Sequence, residues 1–268
     1  MFGKRPDATL VTGLSTMRSF MPFISPRRND SLVLYAQHIE ADAAIAFVER
    51  YNETAPEDRK LTLFHLLVRA LALTFHRRPG INRFIAGGRI WQRNDVWATF
   101  SAKVELRDRS PLVTVKRRFP EDESLEDMVG DILGRLGRRR GGEKTQSDQE
   151  MNLALRLPPF LIRMGVWLLH QANQLGALPR KMIEDDPLFT SIFIANLGSV
   201  DMESAYHHLW EYGTASHFAM MGRVSERPDG THYFEVRYSY DERVNDGLYG
   251  GLSMQVVKDL IEHPEKLA

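Results

Sequence analysis

Residues 62–80 read "TLFHLLVRALALTFHRRPG", and this stretch constrains the fold more than any other in the chain. Thr62 is a helix-capping residue, and the spacing predicts a helix running to Arg77-Arg78, whose charges suit the negative end of the helix dipole. Pro79-Gly80 then stops it. Leu, Phe, Val and Ala occupy nearly every face, so such a helix is stable only when other elements pack around it. The strand patterns supply those elements: "SLVLYAQHI" at 31–39, alternating runs at 96–106 and 112–118, the apolar "LFTSIFIANLG" at 188–198, and "HFAMMGRVSERPDGTHYFEVRYSY" from 217 with a turn at Pro228-Asp229-Gly230. "FIAGGRIWQR" reads as a hairpin around Gly87-Gly88, and helical spacing recurs over 43–51, 124–140 and 252–260. Strands interleaved with helices, with hairpins among them, predict an α/β (α+β layered) domain built on a mixed sheet. No internal repeat and no dividing linker interrupts it, so residues 1–268 are expected to form one domain.

One part of the chain reads differently. After three arginines at 138–140, "GGEKTQSDQE" is polar with nothing to bury and predicts a mobile loop. The next segment, "LALRLPPFLIRMGVWLLHQANQLG" at 153–176, is apolar, yet Arg156, Arg163, His170 and Gln174 recur at helical intervals as a polar stripe. The pattern predicts an amphipathic helix that rests its apolar side on the protein's own core or on another subunit, with contact to a membrane surface or lipid as the lesser alternative. Nowhere does the chain have the run of ~20 apolar residues that crosses a bilayer.

Composition removes several functions. Lys+Arg and Asp+Glu both total 35, so the surface as a whole has no field to draw in nucleic acid. Basic residues at 135–144 lack the interleaved aromatics that stack single-stranded bases. There is no Cys, which excludes disulfides, thiolate metal sites and a Cys nucleophile, and suits a reducing compartment. The first residues lack the apolar core of a secretion signal, and the cytoplasm is the expected location. "AGGR" and "RGGEK" lack the strand-to-helix context of a phosphate cradle. In "YHHLWEYG", His207 and His208 are a candidate base pair, but Tyr212 stands where an acid would orient them, and no third ligand at a metal-binding spacing accompanies them. No metal is expected.

Taken together, several segments resemble the catalytic domain of the dihydrolipoamide acyltransferases of 2-oxo acid dehydrogenase complexes, within the chloramphenicol acetyltransferase-like superfamily. That family carries D-H-R-x-x-D-G before its last helix. Here "DERVNDG" keeps Asp241, Arg243, Asp246 and Gly247 and has Glu242 at the histidine. The family's F-T-I-S-N-L-G strand is similar to "IFIANLG" at 192–198, with Asn196 kept and Ala195 at the serine. "LSTMR" at 14–18, the buried helix and "VVKDLIEHPEKL" at 256–267 are softer matches. The resemblance spans nearly the whole chain, and the loop and helix at about 138–176 look like an addition. It implies a chloramphenicol acetyltransferase-like fold, trimers that sometimes build larger cages, and active sites in channels between subunits. Lipoyl and subunit-binding domains are not seen in this chain, so an acyl group would arrive on another protein. No cofactor is required, and coenzyme A would enter as substrate or ligand.

The resemblance also assigns roles. The histidine takes a proton from a thiol, the serine donates to the oxyanion of the tetrahedral intermediate, the aspartate matching Asp246 pairs with an arginine to hold the loop, and Gly247 allows the turn into the helix. Glu242 is a weaker base than histidine by about two pKa units unless burial raises it, and Ala195 donates nothing. The expectation is a pseudoenzyme that keeps the fold as an oligomeric scaffold or binding module. Its alternative is an active coenzyme A-dependent acyltransferase with a rearranged site, taking acyl groups from coenzyme A or a lipoyl arm and using Glu242, His207 or His208 as base.

Overall fold

The computed structural model describes residues 4–103, 110 and 112–267. In chain order its elements are β1 (Ala8–Leu10), α1 (Thr16–Ile24), β2 (Leu32–Glu40), α2 (Asp42–Thr54), α3 (Leu63–Arg77), β3 (Arg83–Ala86), β4 (Arg89–Arg93), β5 (Trp97–Lys103), β6 (Leu112–Arg118), α4 (Leu125–Arg140), α5 (Gln146–Ala154), α6 (Pro159–Gln174), α7 (Arg180–Asp185), β7 (Ile192–Asn196), β8 (His217–Glu226), β9 (His232–Asp241) and α8 (Gly247–Glu262). The last residues of the run predicted at 96–106, numbers 104–106, lie outside the described residues.

A six-stranded sheet of order β2-β9-β8-β7-β5-β6 carries the fold, with a three-stranded sheet β1-β4-β3 beside it. The large sheet is mixed: β7 runs parallel to both β5 and β8, and the other pairs are antiparallel. Side chains alternate across it. One face presents Ile39, Phe100, Ile194, Ala219, Val236 and Tyr238 to a core shared with α3, α4 and α8. There α3 is buried from His65 to Phe75, as its all-round apolar pattern requires, and Thr62 caps it by accepting from the His65 N–H. The opposite face presents Phe193, Phe218 and Met220 to the chain segment that holds Leu209 and Trp210. In the β3–β4 hairpin, Gly87 and Gly88 have φ of 58° and 68°, the left-handed pair that such a turn demands.

Three expectations need correction. The polar stretch 141–150 is not a loop throughout: α5 begins at Gln146, because Thr145 and Asp148 form a capping box and Arg139 pairs with Asp148. The helix expected over 153–176 is broken, since Pro158-Pro159 ends one helical run and opens α6. Its apolar side is also largely exposed. Phe160, Met164, Trp167 and Leu168 point to solvent, while His170 and Gln174 are half-buried and bonded to each other, the Gln174 side-chain oxygen accepting from the Gly87 N–H. Only Leu169 and Ala172 of α6 join the small cluster of Leu178, Ile183 and Phe189. The elements β1, α1 and α7 were not anticipated, being short or flanked by few periodic residues.

Candidate functional site

Glu242 follows the last residue of β9 and is held by its backbone. Its N–H donates to the Ser31 carbonyl at 2.9 Å, and its carbonyl accepts from Arg18 Nη1 at 2.7 Å. The half-buried side chain borders a recess of about 200 Å³ lined also by Ser15, Met17, Arg18 and Met21. The carboxylates of Glu242 and Asp246, after burial, add to the forces that push the nearby Tyr240 hydroxyl up.

The loop around Glu242 is built differently from what the family resemblance implies. Asp246 caps α8, its Oδ1 accepting from the Tyr249 N–H at 2.8 Å, and among the described residues no arginine pairs with it. The arginine-held aspartate is Asp241, gripped by Arg243 and approached by Arg28 Nε at 3.8 Å. Arg243 in turn donates to the carbonyls of Ser25 and Pro26, tying the start of the chain to this loop. Gly247 has no positive φ, and a Cβ there would meet its nearest neighbours at 3.7 and 3.9 Å, so neither backbone nor space requires glycine.

On β7, Ala195 faces away from the helices and packs with Phe193, Phe218, Met220, Leu209 and Trp210. Asn196 ends the strand and turns the chain, its Oδ1 accepting from the Ser199 N–H. It lines a cavity of about 500 Å³ together with Thr62, His65, Phe100, Ser101 and Met221. Burial pushes the His65 imidazole down to about 4, so it is neutral there and its Nδ1 meets the Thr62 hydroxyl.

His207 lies over the same sheet face as Ala195. Its ring stacks on Phe218 at 4.3 Å and on His208 at 4.5 Å, with Trp210 at 4.9 Å. Nδ1 is 2.6 Å from the His208 carbonyl, which only accepts, so that nitrogen carries the proton and Nε2 is the basic one. Tyr212 does not serve this pair: its hydroxyl donates to Asp186 Oδ2 at 2.9 Å. Sequence reasoning missed Arg28, whose guanidinium donates to the carbonyls of Trp210 and Gly213 and sits beside Asp241. It joins the Glu242 loop to the His207 loop. Only its burial, invisible in composition, marks it.

These residues therefore form two groups. Ala195 pairs in register with Met220, Met220 with Arg237, and Glu242 lies five positions further on. At a rise of ~3.3 Å per residue and ~4.8 Å between strands, roughly 15–20 Å separate Ala195 from Glu242. Within one protomer, Glu242, Asp241, Arg243 and Asp246 make one group, and Ala195, His207 and His208 another; Asn196, on the opposite sheet face from Ala195, lines the cavity beside His65. Among the described residues no cluster of His, Cys, Asp or Glu has the composition to hold a metal ion.

No protein-family model matches the chain, and no curated protein matches it by sequence. Solved structures do match by fold. The dihydrolipoamide acetyltransferase of Azotobacter vinelandii, studied for the roles of a serine, a histidine and an asparagine in its catalytic mechanism, superposes with a TM-score of 0.63 at 16% identity, covering 94% of this chain and 88% of that one. The cubic core of a pyruvate dehydrogenase multienzyme complex gives 0.59 at 15% identity, over 97% and 94% of the two chains. A chloramphenicol acetyltransferase gives 0.58 at 12% identity, over 95% and 99%. The chain has the chloramphenicol acetyltransferase-like fold of these acyltransferase domains.

Proposed function

We propose that this chain is a dihydrolipoamide acyltransferase-like protein that has lost acyl transfer and serves as an oligomeric scaffold or binding module. The observation that carries this reading is the environment of Ala195, a methyl group set among Phe193, Phe218, Met220 and Leu209 with no hydroxyl of its own to meet an oxyanion. The separation of Ala195 from Glu242 supports the oligomeric part: a site using both would need the second from another copy, as in a homotrimer or a larger cage. The match to a cubic multienzyme core is consistent with self-association. The absence of Cys suits a cytoplasmic protein. The test is acetyl transfer from acetyl coenzyme A to dihydrolipoamide by the pure protein, with light scattering for its mass. No turnover in a trimeric species agrees with the proposal, and turnover abolished by Glu242→Gln defeats it.

A second reading keeps coenzyme A-dependent transfer with a relocated base. It is favoured by the His207 tautomer, whose free Nε2 faces solvent from the sheet face that carries Ala195. Turnover insensitive to Glu242→Gln but lost in His207→Gln would select it. In that case an acyl group would come from coenzyme A or from a partner protein that carries it.

A further inference from the structure

We propose that the outward face of α6 docks on an anionic lipid bilayer. This goes beyond the question of acyl transfer and rests on different residues. Phe160, Met164, Trp167 and Leu168 repeat at helical spacing on one side of α6 and are 67%, 52%, 59% and 52% exposed. The preceding α5 and its exit add Leu153, Leu155 and Leu157, also exposed, and α5 buries none of its residues. So many exposed large apolar side chains on two successive helical segments mark a contact site.

Its charge selects the occupant. Residues 151–183 contain no Asp or Glu but carry Arg156, Arg163, Arg180 and Lys181. The wider span 134–183 holds nine Lys or Arg against three Asp or Glu, in a chain where the two classes are equal. Arg163 lies on the apolar face itself, and among the described residues neither Arg156 nor Arg163 has a carboxylate partner. Two exposed arginines without a carboxylate partner, on a segment that also exposes Trp167 and Phe160, match an interface where phosphates pair with arginine and aromatic rings sit at headgroup depth. Packing this face against its own copy would bury Arg163, for which the face itself offers no carboxylate partner, at a desolvation cost. The helix is 16 residues long, and no helix among the described residues is long and apolar enough to cross a membrane, so α6 would lie in the bilayer surface.

The full chain is mixed with phosphatidylcholine vesicles, with or without phosphatidylglycerol, and bound protein is separated by flotation. Binding is expected to require phosphatidylglycerol and to weaken with added salt. Met164→Glu with Trp167→Glu should abolish it. Arg156→Glu with Arg163→Glu should weaken it about tenfold or more, given the contribution of each basic residue at an anionic surface. All four positions are exposed, so circular dichroism should be unchanged, and that readout separates lost docking from lost folding. No binding to either vesicle, equal binding to both, or binding unchanged in both variants overturns the proposal. Self-association abolished by the Met164 and Trp167 substitutions, with no vesicle binding, gives the face to a second copy and overturns it as well.

Discussion

Asp241 and Arg243, two residues apart and both buried, close a two-point ion pair, with Nε to Oδ1 and Nη2 to Oδ2 each at 2.8 Å. The aspartate also accepts the Arg243 N–H at 3.1 Å. A carboxylate so enclosed leaves an uncompensated arginine behind when it is removed. Asp241→Asn is expected to destabilise the protein by about 3–5 kcal/mol or prevent folding, read by urea denaturation.

Asp246 plays the smaller part of a helix cap. Asp246→Ala should cost about 1 kcal/mol through the lost bond to the Tyr249 N–H, with no change in oligomer mass. A loss as large as that of Asp241→Asn would mean that Asp246 holds more than the end of α8.

Stability should fall in mild acid for a reason visible in the core. His217 is enclosed by Phe75 and Tyr240, and burial, with Arg93 adding to it, pushes its imidazole down to about 3; burial alone takes His65 to about 4. Both folded values lie below the unfolded value of ~6.5, so between these limits the unfolded chain binds protons that the folded chain refuses. The associated stability is complete above pH ~6.5 and is lost as pH falls towards 3–4, by on the order of 2 kcal/mol per histidine at pH ~5. His217→Gln should flatten the decline of the urea midpoint between pH ~6.5 and ~5, and an unchanged slope would refute this origin.

Introducing the serine and histidine that the family resemblance implies tests the proposed loss of transfer. Wild type should show no acetyl transfer above background, and Ala195→Ser combined with Glu242→His should raise it by at least ~10²-fold, with each single change giving less. Wild-type turnover that Glu242→His leaves unchanged would mean that another base is at work.

Much of the fold was readable from single segments. The all-round apolar pattern of α3, the Thr62 cap and the Gly87-Gly88 turn each admit one local solution, and the strands around them follow by alternation. The α5 helix was equally readable from Thr145 and Asp148, whose capping spacing outweighs the polarity of the stretch. The direction of α6 was not. Periodicity finds two sides of a helix, and with Leu169 on one and Trp167 on the other, only the packed neighbours decide which side turns in. The site had the same limit. Motif spacing brought Glu242, Asp246, Ala195 and Asn196 into view, but the aspartate that holds the loop and the distance between the two groups depend on β-ladder register and burial, which no local pattern encodes.

Ala195 and Glu242 sit on different elements, one a small side chain in an apolar cluster and the other held by its main chain while its carboxyl group meets solvent. Exchanging either for the serine or histidine that the family resemblance implies would disturb little that the tertiary structure relies on. Selection for a well-folded chain is therefore blind to both positions. A lineage could exchange these two side chains without passing through an unstable ancestor, and the two changes could come in either order.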